Sequence, residues 1–190
     1  MHKPAITLLF CLFIINAPVA AKEIEDIEIP DTLAFANSKS PLVLNGAGIR
    51  EKFFLDIYIG ALYLPARTPD ANAILSDTGP ASVLMHILYG EVSKQKITDG
   101  WTDGLEANLS DENMLALKPQ LEKFNSLFQD LHKGDRIRID YTPGIGTEVR
   151  INDEKRGVVK GNDFYRSLLR IWIGSNPVTK SLKQEMLGND

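Results

Sequence analysis

Residues 53–64 (FFLDIYIGALYL), ended by Pro65, restrict the fold more than any other stretch of the chain. The run is long and rich in β-branched and aromatic residues, which is strand chemistry. Side-chain alternation puts Phe53, Leu55, Ile57, Ile59, Ala61 and Tyr63 on one face, which is nearly all apolar and is predicted to be core. Phe54, Asp56, Tyr58, Gly60, Leu62 and Leu64 share the other. That mixture of a carboxylate, a phenol, leucines and a glycine without a side chain suits a sheet that lines a cleft.

The pattern around this strand is strands, then helices, then strands, then helices. Residues 22–41 are acidic with scattered isoleucines and predict a leading edge strand or a mobile arm. LVLN (42–45) reads as a strand, with Gly46-Ala47-Gly48 as the bend that follows it. ASVLMHILYG (81–90) is a third strand, after a loop holding a short helix. Residues 93–108 predict a helix with Ile97, Trp101 and Leu105 at fourfold spacing, although Gly100 and Gly104 interrupt it. Ser110 is a candidate N-cap for a second helix with Met114, Leu115 and Leu117, and Pro119 opens a third through Leu121, Phe124, Leu127, Phe128 and Leu131, stopped at Gly134.

RIRIDYTP (136–143), EVRIN (148–152) and GVVK (157–160) then read as antiparallel strands, the last two joined by the polar turn 153–156. Two closing helices follow: 163–174, capped by Asp163 with Phe164, Leu168 and Trp172 on one face, and 177–188, from Pro177 to Gly188. This order predicts an α+β fold, an antiparallel sheet with helices on one face; a doubly wound parallel sheet would need strict alternation.

The N-terminus predicts export. After a short basic start, AITLLFCLFIIN (5–16) is an apolar run broken only by Thr7, shorter than the ~20 residues of a membrane-spanning helix, and small residues (APVAA, 17–21) follow. Cleavage is expected after Ala21, leaving residues 22–190 as a single domain with its core at about 42–188, in the periplasm or the outside medium and without a stable membrane anchor. Cys11 is the only cysteine, and the bulky Phe10 before it does not suit a lipoprotein signal, so the mature chain would carry no thiol. Loss of Lys3 takes the formal charge from −4 to near −5, with no basic cluster, which argues against nucleic acid and anionic membrane surfaces as partners.

Residues able to carry chemistry are few. Beyond the leader only His86 and His132 remain, with no metal-spaced pair, phosphate loop or nucleophile elbow, so no cofactor or metal is implied. His86 lies in an apolar strand and reads as half-buried; His132 reads as a helix-end residue complementing the macrodipole. Arg50 could reach the mixed face of the 53–64 strand. A guanidinium beside the Tyr58 phenol and an apolar wall could hold a carboxylate or polarise a carbonyl. Alternatively Arg50 pairs with Glu51 or Asp56 on the surface and Tyr58 merely packs.

NGAGIR, then IYIGALYLP, then GNDFYRSLLRIWIGSNPVTKSLKQEMLG, in that order from about Leu42 to Gly188, resemble the chalcone isomerase-like family, in particular its exported bacterial branch. The resemblance implies an open-faced β-sandwich, a large antiparallel sheet covered by a layer of helices with a ligand cleft between them. Plant enzymes of the family cyclise chalcones, whereas related members bind fatty acids. In both, an arginine in the segment matching GAGIR contacts the ligand, and that position is Arg50. The position that is threonine in the enzymes is Tyr58 here, as in the fatty-acid-binding relatives, and SKQKITDGW offers Lys96 and Ile97 where the enzymes carry a further tyrosine.

The resemblance therefore implies a non-catalytic binder of a small apolar or amphipathic carboxylate such as a fatty acid, with Arg50 and Tyr58 on its head; strand alternation adds Asp56 to the cleft, and the closing helix offers Trp172 as its wall. An isomerase (intramolecular lyase) acting on an enone is the alternative, Arg50 stabilising the enolate and Tyr58 donating to it. A third reading is an envelope interaction protein with a vestigial cleft. Export, away from cofactor pools, favours a cell-envelope ligand.

Overall fold

The computed structural model describes residues 22–35 and 40–189; the leader and its expected cleavage point lie outside the described residues. The strands are β1 (Lys22–Ile24), β2 (Ile27–Ile29), β3 (Thr32–Leu33), β4 (Leu42–Lys52), β5 (Leu55–Leu64), β6 (Ala81–Ile87), β7 (Glu91–Val92), β8 (Leu131–His132), β9 (Arg136–Thr142), β10 (Gly146–Ile151) and β11 (Glu154–Val159). The helices are α1 (Ala71–Ser76), α2 (Lys94–Glu106), α3 (Asp111–Asn125), α4 (Asn162–Ile173) and α5 (Lys180–Met186). Seven strands form one curled antiparallel sheet in the order β11-β10-β9-β6-β5-β4-β3, with the helices on one face, the α+β arrangement expected.

From Ile57 onward strand β5 carries no charge because both of its faces are covered. Tyr58, Leu62 and Leu64 face the main core, against α2, α4 and α5, while Ile59, Ala61 and Tyr63 face a second cluster under the N-terminal segment. Ile24, Ile27 and Ile29 of the β1–β2 hairpin supply that cover, and the Tyr63 hydroxyl donates to the Pro30 carbonyl at 2.8 Å. The larger core thus lies on the mixed face containing Tyr58, not on the wholly apolar face predicted for it. Thr32–Leu33 pairs with Val43 and Leu42, so the acidic leading segment does provide the edge strand.

Gly46-Ala47-Gly48 is not a bend. Strand β4 runs through it, bulged at Asn45, and the reversal comes at Phe53-Phe54, both at positive φ (51° and 63°). The glycines are there because α5 lies directly on the strand: a Cβ on Gly46 would stand 2.0 Å from the Glu185 carbonyl oxygen, and one on Gly48 would fall inside the Glu185 side chain. Asn45, buried in the bulge, donates to the Met186 carbonyl at 2.8 Å and accepts from the Thr68 N–H at 2.7 Å.

Four further expectations change. Pro119 lies inside α3 rather than opening another helix; its side of the helix, with Leu115, is exposed, where water can take the carbonyl bond the ring forfeits. His132 is in β8, beyond the end of α3, with Nδ1 4.0 Å from Asp135. The β10–β11 turn is Asn152-Asp153, at positive φ, not 153–156. Asp163 sits in the first turn of α4, whose N-cap is Gly161. Helix α4 itself is buried nearly all round, between the sheet and the outer helices α2 and α3, which makes it the floor on which the outer helices rest.

Candidate functional site

A cavity of about 620 Å³ opens between one end of the sheet and helix α2. Its sheet side comes from the end of β4 (Arg50, Lys52), the start of β5 (Leu55, Ile57, Tyr58) and the end of β6 (Ile87). The helical side is α2 from Lys96 to Ala107, including Ile97 and Trp101, backed by Ile171 of α4 and by Pro177 and Val178 of the following loop. A volume in the range of 300–1,000 Å³ and a mainly apolar wall are the properties of a small-molecule site.

Arg50 and Tyr58 are direct cross-strand partners, so their side chains share the helix-facing side of the sheet. The guanidinium carbon lies 5.6 Å from the Tyr58 ring centre, a cation–π contact that steers the side chain over the ring. Arg50 Nε is buried without a hydrogen-bond partner. The Tyr58 hydroxyl accepts the Trp172 indole N–H at 2.9 Å, which occupies a lone pair and leaves its own proton to be donated. Burial pushes the Tyr58 phenol above its ordinary value, against the opposing pull of the Arg50 charge and the Trp172 hydrogen bond, so it is a neutral donor at physiological pH. The Trp101 indole N–H is also buried without an acceptor. Three lining residues thus offer uncommitted donors, a set that suits an anionic oxygen, while the carboxylates of the lining, Glu91, Asp99 and Asp103, come from β7 and α2.

Trp172 does not line the cavity. It is buried behind Tyr58 as its hydrogen-bond partner, 5.8 Å from the Trp101 ring centre, and Trp101 forms the aromatic wall instead. Trp101 is fixed by Phe124 and Phe128, with ring centres 5.7 and 5.5 Å away. Asp56 is exposed near the β4–β5 turn and is not part of the lining. Lys96, exposed in the first turn of α2, is at the rim. Sequence reasoning missed Trp101, Tyr89 and Lys52, and took Gly100 and Gly104 only as weaknesses of a helix. Those glycines were the available signal. A Cβ on Gly104 would press into Ile171 at 2.9 Å, which lets α2 approach α4, while a Cβ on Gly100, in the lining, would meet nothing within 4 Å.

Gly100→Leu therefore tests the cavity directly. The new side chain enters open space and should weaken binding of a cavity ligand by at least about tenfold, while removing a helix-interior glycine should raise stability by roughly 0.5–1 kcal/mol. Titration calorimetry and thermal melts read the two effects. A Gly100→Leu protein that binds as well as the parent would place the ligand elsewhere.

A curled antiparallel sheet with a helical layer and an apolar cavity at their open end, headed by a cation and a phenol, defines an α+β protein with a built interlayer pocket. Residues 21–188 match the model of the chalcone isomerase-like family, and the chain belongs to that family. It is 27% identical over 175 residues to fatty-acid-binding protein 1 of Arabidopsis thaliana, an alignment covering 77% of this chain and 63% of that protein's length. The chain therefore spans somewhat less than two thirds of that relative. Its fold matches the crystal structure of an Arabidopsis thaliana fatty-acid binding protein with a TM-score of 0.68 at 19% identity, over 90% of this chain and 97% of that one.

Proposed function

We propose that the protein is a non-catalytic binder of a fatty acid or a similar amphipathic carboxylate, its head held by Arg50 and Tyr58 and its hydrocarbon laid along Ile97, Trp101 and Ile171. The observation that carries this reading is the buried Arg50 Nε–H without a protein partner beside a phenol with a proton to give. An unpaired buried donor costs about 1–3 kcal/mol, which a ligand carboxylate would recover. The name of the Arabidopsis relative, a fatty-acid-binding protein, supports the same ligand class. The segment SKQKITDGW, where the family's enzymes place a tyrosine, offers Lys96 and Ile97 but no tyrosine, which weighs against cyclase chemistry. We further propose that the chain is of the exported bacterial branch, cut after Ala21 and released outside the cytoplasm; N-terminal sequencing of the protein from its host checks this.

The binding reading is tested by titrating delipidated protein with saturated fatty acids of increasing length. Each added methylene that finds apolar wall should tighten binding about fourfold, and the gain should stop once the cavity is full. No saturable binding, together with turnover of a chalcone, would make the protein an isomerase instead.

A further inference from the structure

The β4–β5 hairpin ends in a turn that its sequence does not favour. Two-residue hairpin turns with both φ values positive prefer Asn-Gly or Asp-Gly, and bulky side chains at positive φ are outliers. The β10–β11 turn follows the rule at its first position with Asn152-Asp153, whereas here the positions are Phe53 (φ 51°) and Phe54 (φ 63°). Neither aromatic is sheltered: Phe53 is 84% exposed and Phe54 wholly so, and Leu55 beside them is also exposed. Tyr89, whose N–H donates to the Ile57 carbonyl at 3.2 Å, adds a fourth exposed apolar side chain at the same end. Of the large apolar side chains exposed among the described residues, only Leu115 and Ile145 lie apart from this group. A strained backbone that holds contiguous apolar side chains in water marks an interaction surface.

The surroundings of the tip identify what it meets. Lys52, Phe53, Leu55 and Tyr89 belong both to this patch and to the cavity lining, so apolar surface is continuous from the tip into the pocket. The apex, Phe54, is outside the lining and protrudes from the turn, a shape that enters a fluid apolar phase rather than one that cradles a partner. The exposed charges at the tip are one cation, Lys52, and two carboxylates, Glu51 and Asp56, which favours a zwitterionic surface over a strongly anionic one.

We propose that the Phe53-Phe54 tip inserts reversibly into the headgroup–acyl boundary of a phospholipid bilayer and that the cavity loads or unloads its amphipathic ligand there. The loading part rests on the fatty-acid reading; the membrane contact stands on the tip alone. A ligand entering by this route passes from acyl chains to the Phe53 and Leu55 side chains and on to Ile57 and Trp101 without crossing water, while Lys52 can reach the phosphate level.

The test uses the mature chain, phosphatidylcholine vesicles and an anthroyloxy-labelled stearate. Phe54→Gly places at φ 63° the residue that position prefers, so it should fold at least as stably as the parent, and it leaves the lining intact. It should sediment with vesicles at least about tenfold less than the parent, while its affinity for the labelled stearate in vesicle-free buffer stays within about twofold. In Phe54→Trp the added emission should move to the blue with vesicles and be quenched by brominated lipid, over a constant background from buried Trp101 and Trp172. Transfer of the labelled stearate from parent protein to vesicles should accelerate with vesicle concentration. Equal sedimentation of parent and Phe54→Gly, an emission spectrum of Phe54→Trp that vesicles do not move, or a dimer abolished by Phe54→Gly in the absence of vesicle binding would overturn the proposal, the last by giving the tip to a second copy. Stearate binding without vesicle contact leaves the cavity reading standing and removes the tip; vesicle contact without stearate binding removes the loading step and the ligand reading together.

Discussion

Arg50→Met should lose about 10- to 100-fold in affinity for a long-chain carboxylate, retain its affinity for the corresponding alcohol, and fold no less stably than the parent. Charge-assisted hydrogen bonds to a buried carboxylate are worth about 1.5–3 kcal/mol, which sets the loss. The alcohol has no negative charge for the guanidinium to hold, so only the hydrocarbon contribution should remain in both proteins. Stability should not fall, because Arg50 Nε is buried without a partner in the free protein. Methionine removes that cost of about 1–3 kcal/mol and forfeits only the cation–π contact with Tyr58, about 0.5–1 kcal/mol. A residue kept for structure behaves in the opposite way. If the variant binds oleate as tightly as the parent, Arg50 does not hold the head; if it unfolds at lower denaturant, its role is structural. Calorimetric titration with oleate and oleyl alcohol, alongside urea unfolding, gives both answers.

The second large effect is expected far from the cavity. Gly46→Ala should cost about 3 kcal/mol, a fall of roughly 10 °C in Tm, whereas Gly48→Ala should cost less, about 2 kcal/mol. The two glycines lie on the same strand under the same helix, and what a methyl group would strike separates them. At Gly46 it meets backbone, the Glu185 carbonyl oxygen at 2.0 Å and the Gly188 nitrogen at 2.8 Å, so α5 must lift off the sheet. At Gly48 it meets the Glu185 side chain, whose carboxyl group can swing aside but whose Cβ, 2.6 Å away, moves only with the helix. Lifting α5 also disturbs Leu182 and Met186, both fully buried. Urea midpoints for the two variants measure the difference, and equal costs would mean that α5 floats on β4 rather than being seated by it.

The difference between what could and could not be read from the chain lies in the range of the interactions. The strand at β5, the helix over 93–108 with Ile97, Trp101 and Leu105 inward, and the N-cap at Ser110 were legible because alternation, fourfold spacing and capping chemistry act over a few residues. The Gly46-Ala47-Gly48 segment was misread because the cause of its glycines is a helix that arrives some 140 residues later in the chain. Pro119 was misread because the helix tolerates it only on an exposed side, and exposure is a tertiary property.

At the site, Arg50 and Tyr58 were placed on one face by the alternation of β5 and the family motif, and the register that sets them opposite each other follows from the turn at Phe53-Phe54. Trp101 and Trp172 carry the same local signal, an aromatic in an apolar stripe. Only the packing of α2 over α4 decides that the first faces the cavity and the second supports Tyr58 from behind. Asp56 shares the nominal alternation of Tyr58, but the register shift beside Arg50 and its place near the strand end leave it in water.

The seat of α5 on β4 also has a temporal meaning. The Asn45 amide is completed by the Met186 carbonyl, across 141 residues, so this bond of the strand that carries Arg50 forms only after the residues of α5 have emerged from the ribosome. Closure of so long a loop comes late and slowly compared with helix formation. Until residues 180–186 are made, the nascent chain has a bare glycine track where α5 will lie. The β4 wall of the pocket thereby gains its full support only once the chain has been made through α5.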